Sequence, residues 1–247
     1  MRPYLIILVS ILSLAFVCDE SFKSKQMRYS RVKKAFESKE ILVKTKIGLA
    51  RIHQDSFDIY VRIFKREGVL EAWGKNINED TYRLIESYNF CSNVGIPGPK
   101  RKKGDLQIPE GFYQISRFNP ESNYHLSVKV NYPNKADSIK GERENLGGDI
   151  YIHGGCETVG CIPITDSCIE ELYLMLVLAK NSGQNLIPVH IFPTRLNYSN
   201  MVLLKTQFPQ TDLHAFWESL KPVYEHFEQK GELLDVIINP DGNYNIH

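Results

Sequence analysis

A histidine and a cysteine eight positions apart, His153 and Cys161, are joined by a connection that contains Gly154, Gly155 and Gly160. Folded back on itself, such a connection brings imidazole and thiol together, the pairing from which proteins make a thiolate nucleophile near neutral pH. A thiolate that attacks a carbonyl carbon needs a base beside it, backbone N–H donors for the oxyanion, and an exposed position. The roles follow: Cys161 is the nucleophile, His153 the general base and later the acid, and the amides of Gly160 and Cys161 the oxyanion donors. Gly154 and Gly155 let the chain turn sharply after His153, and Gly160 lets a substrate carbonyl approach the backbone.

Other chemistries fit less well. His153, Cys156, Cys161 and Cys168 are all zinc-ligand types, but structural zinc sites bring ligands in close pairs such as Cys-X-X-Cys, and none occurs here. No metal and no organic cofactor is expected. A papain-like peptidase places its cysteine ahead of a distant histidine, the reverse of this order. Cys156 is read as a disulfide partner of Cys168 or Cys91, or as a small buried residue, rather than as a second nucleophile.

The elements around the motif are those of an α+β chain. With 43% hydrophobic and 24% charged residues, the composition is that of an ordinary globular protein with a sizeable core. Thirty basic against 29 acidic residues leave +1, which gives no global pull toward nucleic acid. Met1-Arg2-Pro3 and the apolar run to Val17 have the form of a secretory signal and are too short to span a bilayer. Residues 1–18 are therefore read as a signal peptide. Cys18 offers a second reading, a lipid-modified N-terminus that attaches the chain to a membrane.

Residues 19–54 form an N-terminal helical segment, with apolar residues from Val32 to Ala50 at helical spacing. Alternation over Phe57–Phe64 predicts a strand, and Val69–Trp73 and Tyr82–Val94 extend it into an antiparallel meander. Gly95 to Gly111, with Lys100-Arg101-Lys102-Lys103 inside it, is expected to be a long exposed loop, either a solvated charge run or a cationic lip for an acidic substrate. Further strands are expected over Phe112–Phe118, Tyr124–Val130, Asp149–His153 and Ile187–Phe192, with a second loop over Asn131–Gly148. Ser167–Glu170 has the form of a capping box ahead of a helix to Lys180. The helix from Thr211 to Gln229 should kink or split at Pro222, and Leu233–Ile238 with Tyr244–Ile246 suggests a closing hairpin. His125, at the start of a strand, is by itself more typical of a structural histidine than of a catalyst.

The run His153-Gly154-Gly155-Cys156-Glu157-Thr158-Val159-Gly160-Cys161 resembles the signature of the L,D-transpeptidase catalytic domain (YkuD) family, in which His-Gly is followed by Ser-X-Gly-Cys. The short connection, the following Thr165-Asp166, Gly98-Pro99-Lys100, Pro109-Glu110-Gly111-Phe112-Tyr113 and His125-Leu126-Ser127 through Asn131-Tyr132-Pro133 are similar to its YafK-like branch. The resemblance implies a β-rich, mostly antiparallel catalytic domain over about residues 55–196, followed by a helical and hairpin extension over 197–247. It implies a cysteine that attacks the third-residue carbonyl of a peptidoglycan stem peptide, holds a thioester, and passes it to an amine or to water. The family's serine falls on Thr158, and its arginine two residues after the cysteine is replaced by Pro163; Arg195 is the substitute carboxylate contact, with His125 a further substrate-side residue. The expected protein is an exported monomer of the cell envelope or periplasm that takes part in cell-wall biogenesis and cell shape. It is a transpeptidase or, alternatively, an L,D-carboxypeptidase, endopeptidase or amidase, or a wall-binding module that kept the fold without the chemistry.

Overall fold

The computed structural model describes residues 20–92, 95–142 and 144–246. The expected leader, with Cys18 and its lipid, lies outside the described residues. Among the described residues no helix is long and apolar enough to cross a membrane.

The N-terminal segment forms two helices, α1 (Phe22–Met27) and α2 (Ser30–Leu49), where a single one was expected. Ser21 caps the first by accepting from the Ser24 N–H at 3.2 Å. On α2 the buried stripe is Val32, Ala35, Phe36, Val43 and Ile47. Strands β1 (Phe57–Phe64), β2 (Val69–Asn76) and β3 (Arg83–Asn89) form the expected antiparallel meander. There follow β4 (Gly111–Ser122), β5 (His125–Val130), α3 (Lys135–Lys140), β6 (Tyr151–His153), β7 (Ile162–Pro163), α4 (Asp166–Asn181), β8 (Pro188–Phe192), α5 (Tyr198–Gln207), α6 (Thr211–Lys230), β9 (Val236–Ile238) and β10 (Tyr244–Ile246).

Eight strands make one sheet in the order β3-β2-β1-β8-β4-β5-β6-β7, and β9 pairs with β10 as the closing hairpin. Its pairings are antiparallel except β1 with β8 and β6 with β7. The sheet curls: just past β3, the Cys91 N–H donates to the Pro163 carbonyl of β7 at 3.1 Å, so the two ends of the strand order meet.

Strand β1 is buried on both faces, and its residues divide by parity. Phe57, Ile59, Val61 and Ile63 enter the main core with α2 and α4, whereas Phe64 joins Phe192, Leu204, Trp217 and Leu220 under the C-terminal helices. Helix α4 is apolar nearly all round, with the run Leu172–Ala179 buried, as befits a helix enclosed by the core.

Several sequence expectations are corrected. Helix α6 runs unbroken through Pro222, because the proline lies on the exposed side while Trp217, Leu220, Val223, Tyr224 and Phe227 hold both halves down. The loop expected over Asn131–Gly148 contains α3, which Asn134 and Asp137 cap reciprocally. At α4 the cap is Thr165, not Ser167; Ser167 instead receives Lys39, whose Nζ lies 2.6 Å from its carbonyl. The Gly95–Gly111 loop is irregular as expected but not wholly exposed. Gly98, Pro99 and Lys100 are buried at one end and Ile108, Pro109 and Glu110 at the other, leaving Lys102 and Lys103 outside. Asp105 organises its turn, taking the Arg101, Lys102 and Gln107 N–H groups and the Lys100 ammonium. Beneath it, Lys65 and Glu110 form a buried pair at 2.9 Å, which also binds the Gly98 carbonyl and N–H.

Candidate active site

The motif spans the last paired edge of the sheet. Ser127 of β5 pairs with His153 of β6, and β6 pairs in parallel with β7, Ile152 opposite Ile162 and His153 opposite Pro163. Extending this register by one residue sets Cys161 beside Tyr151. Side chains alternate along a strand, so His153 and Cys161 share a face as diagonal neighbours, with Cα atoms about 8 Å apart from strand spacing and rise.

Two glycines make the connection possible. A Cβ on Gly154 would sit 2.5 Å from Asp166 Oδ1, 2.9 Å from Ile169 and 3.0 Å from the Tyr124 carbonyl, so the chain is pressed against the start of α4. Gly160 has φ +82° and lies so close to Gln107 that a Cβ would be 3.0 Å from its carbonyl. Between them, the Gly155 N–H donates to Asp166 Oδ1 at 2.8 Å. Cys156 is bonded to Cys91, which ties the loop to the end of β3 and resolves the pairing that the sequence left open. Cys161 and Cys168 carry free thiols.

His153 is 2% exposed, with its ring 4.8 Å from that of Tyr124. Its Nδ1 lies 2.6 Å from the Gly154 carbonyl. A carbonyl only accepts, so Nδ1 carries the proton and the lone pair of the neutral ring is on Nε2. Burial pushes the imidazole pKa below its usual value, partly offset by that hydrogen bond.

The Cys161 thiol donates to the Asp149 carbonyl and accepts from the Tyr151 N–H, each at 3.4 Å. Burial raises its pKa most; the Tyr151 N–H pulls it down, Asp149 pushes it up, and the Lys100 ammonium pulls it down. Both directions favour the uncharged forms, thiol and imidazole, over a preformed ion pair. Asp149 holds its carbonyl there from the left-handed region, with φ +58°.

Thr158 closes the loop on itself: its hydroxyl accepts from the Cys161 N–H and donates to the Cys161 carbonyl, both at 3.1 Å. Of the two expected oxyanion donors, the Cys161 amide is therefore already engaged. Among the described residues the Gly160 N–H meets no acceptor.

The other two expected residues are engaged by partners outside the motif. His125 Nε2 lies 2.8 Å from Glu170 of α4, and its carbonyl takes Arg31 of α2 at 2.7 Å, a brace between helices and sheet. Arg195 bonds Glu71 at 2.6 Å and lies over the Phe64 ring at 4.3 Å, and none of its partners belongs to the motif. Asp166, read from the sequence only within the Thr165-Asp166 pair of the resemblance, serves the site through its side-chain carboxylate. Conversely, Asp149, Tyr151 and Gln107 shape the site without having been read from the sequence, each through a backbone atom or a close approach that only the folded chain creates. The one trace was the Gly147-Gly148 pair ahead of Asp149.

No family model matches the chain. It is 35% identical over 173 residues to the protein named "Putative L,D-transpeptidase YafK" of Escherichia coli strain K12, covering 69% of this chain and 67% of the relative, and equally so to that of strain O157:H7. Among solved structures it is similar to the helical cell shape determining protein Pgp2 from Campylobacter jejuni, with TM-score 0.45, 19% identity, and 80% and 79% of the two chains covered. Bd1075 of Bdellovibrio bacteriovorus has TM-score 0.40 and 20% identity over 70% and 58% of the chains. On the identity shared with the Escherichia coli proteins, the chain belongs to the L,D-transpeptidase family, in its YafK-like branch.

Proposed function

We infer that the chain is an exported, cysteine-dependent L,D-transpeptidase of the cell envelope that acts on peptidoglycan stem peptides through a thioester on Cys161. The observation that carries this reading is the β6–β7 pairing, which sets His153 and Cys161 on one face with the imidazole lone pair on Nε2. In the first half-reaction the Cys161 proton passes to His153 Nε2 as sulfur bonds to the stem carbonyl carbon. The oxyanion accepts from the Gly160 N–H. Collapse breaks the C–N bond, the imidazolium returns its proton to the departing amine, and a thioester remains. An acceptor amine then attacks, loses its proton to His153, and expels the thiolate, which takes that proton back.

Thr158 holds the Cys161 backbone in this account, and Asp149 holds the thiol until base catalysis removes its proton. The reaction needs no metal or organic cofactor, and its partner is the stem peptide rather than nucleic acid.

Incubation with purified disaccharide-tetrapeptide, read by mass, tests the reading. Cross-linked dimer with loss of the terminal residue is expected. Tripeptide alone would make the enzyme a carboxypeptidase, in which water resolves the same thioester; free disaccharide plus free peptide would make it an amidase, and splitting of a cross-linked dimer supplied in place of the monomer would make it an endopeptidase. The Cys161→Ala protein should form no covalent adduct with muropeptide or a carbapenem; full activity in that variant overturns the mechanism.

A further inference from the structure

A cavity of about 630 Å³ lies between α3, α6 and the β9–β10 hairpin, and no residue of the His153–Cys161 motif lines it. A second hollow of about 330 Å³ shares Arg101, Asp212 and Phe216 with it and reaches Pro97 and Gln107. Gln107 is the residue against which Gly160 packs. The two hollows are thus neighbours, and together they line a path from beside the loop of the nucleophile to the C-terminal hairpin.

Both loops that flank Cys161 have their far ends on this path. One runs from Arg101 in the cavity wall to Gln107 against Gly160. The other runs from Lys140, at the end of α3, to Asp149 against the thiol, and is tied to the first by Glu142 N–H to Arg101 carbonyl at 3.0 Å.

The lining has a definite chemistry. Phe216 and Tyr244 are ring neighbours at 6.5 Å, and the Arg101 guanidinium lies 5.5 Å from the Phe216 centroid. Around them stand Lys140, Asp212, Ser219 and Asn243. Cations and anions alternate with neutral amide and hydroxyl, so the cavity is built neither for a polyanion nor for a hydrocarbon chain. Flat ring faces bordered by short donors and acceptors suit a pyranose, whose C–H face packs on aromatic carbon while its hydroxyl and amide groups take the polar rim. The volume lies within the ordinary range for a site that encloses a small ligand.

We propose that this cavity is a glycan subsite, which binds a pyranose unit of the sugar strand bearing the stem peptide whose carbonyl Cys161 attacks. The proposal rests on the assignment of stem peptides as substrate. Three extended residues between sugar and attacked carbonyl span about 10 Å, a length suited to a path that begins at Gln107 and Gly160. Sugar and peptide then bind together, and the subsite favours strand-attached stems over free peptides.

The full chain is titrated with the peptide-free N-acetylhexosamine disaccharide of the wall strand, followed by NMR. Saturable binding is expected, weakened about tenfold by Phe216→Leu, which keeps apolar bulk and loses the ring face. The double variant Asp212→Asn/Asn243→Ala alters only exposed rim residues and should weaken binding similarly; it decides the matter if Phe216→Leu fails to fold. No saturable binding up to about 10 mM, or binding that the double variant leaves unchanged, overturns the proposal. This readout needs no chemistry at Cys161. A chain that binds the disaccharide but forms no acyl-enzyme sinks the transpeptidase reading alone, and an active chain that ignores the disaccharide sinks the subsite alone.

Discussion

Gly154→Ala puts one methyl group at the tightest point of the motif. The new carbon meets Asp166 Oδ1 at 2.5 Å, Ile169 Cγ2 at 2.9 Å and the Tyr124 carbonyl at 3.0 Å. Only the first can move freely, and its departure breaks the 2.8 Å hydrogen bond from the Gly155 N–H. That bond to an exposed carboxylate contributes about 1 kcal/mol. Ile169 is fully buried and the Tyr124 oxygen belongs to the backbone, so relieving those contacts is overpacking that costs about 1–3 kcal/mol. The sum of about 2–4 kcal/mol corresponds to a fall in Tm of roughly 5–12 °C for a protein of this size. Because the shift falls between His153 and the loop bearing Cys161, acylation by a carbapenem should slow by about 100-fold, as for a 1 Å misplacement of reacting groups. Differential scanning calorimetry and stopped-flow acylation measure the two effects. Adding Asp166→Ala removes the worst contact, so the double variant should lose about 1 kcal/mol less than the sum of the single changes. An unchanged Tm and acylation rate in Gly154→Ala, or strict additivity in the pair, would refute the reasoning.

Alkylation of Cys161 by iodoacetamide should rise only in the alkaline range, since burial raises the thiol and lowers His153; a rate already at plateau between pH 5 and 7 would instead mark a preformed thiolate–imidazolium pair. Asp137 is pushed up from 3.8 to about 6, chiefly by burial. A carboxyl with a raised folded-state pKa binds its proton more tightly when folded, so its contribution is present below pH 3.8 and lost as pH rises through about 6, on the order of 3 kcal/mol. The difference in unfolding free energy between wild type and Asp137→Asn, followed from pH 4 to 8, isolates this slope from the carboxylates with lowered values, Glu40, Glu79, Glu86, Asp105 and Asp241, which act in the opposite sense. Cys91–Cys156 encloses a separation of 65 residues, so reducing it should cost about 4 kcal/mol in the chain-entropy account. It should also slow acylation by loosening the motif; thiol counting by mass under non-reducing denaturation should find Cys161 and Cys168 free, and labelling at Cys91 or Cys156 would contradict the pairing.

The sequence by itself determined what is local. Alternation gave β1 its bounds from Phe57 to Phe64, because Phe57, Ile59, Val61 and Ile63 recur with the side-chain period of a strand even though the fold covers both faces. The apolar run after Thr165 gave α4, and the type and order of His153, the glycines and Cys161 gave the chemistry and the family resemblance. Even so, the Thr165 cap was missed for Ser167, since either hydroxyl satisfies the local pattern and Lys39 of a distant helix claims the second. The unbroken course of α6 was missed for the same reason: proline carries a local penalty, and a stripe of five buried residues elsewhere on the helix outweighs it.

Tertiary structure alone decided the pairings between distant segments. That β8 lies parallel to β1, and that the curled sheet brings Cys91 to Pro163 and Cys156, depends on which edges meet in space. The site residues not foreseen are of this kind: Asp149 offers a carbonyl, Tyr151 an N–H and Gln107 a backbone surface, and any residue type carries those groups. That His125 and Arg195, expected as substrate contacts, meet Glu170 and Glu71 likewise depends on which segments the fold brings together. A reactive side chain announces itself by its chemistry, whereas the atoms that hold it in place become visible only once the chain has folded around it.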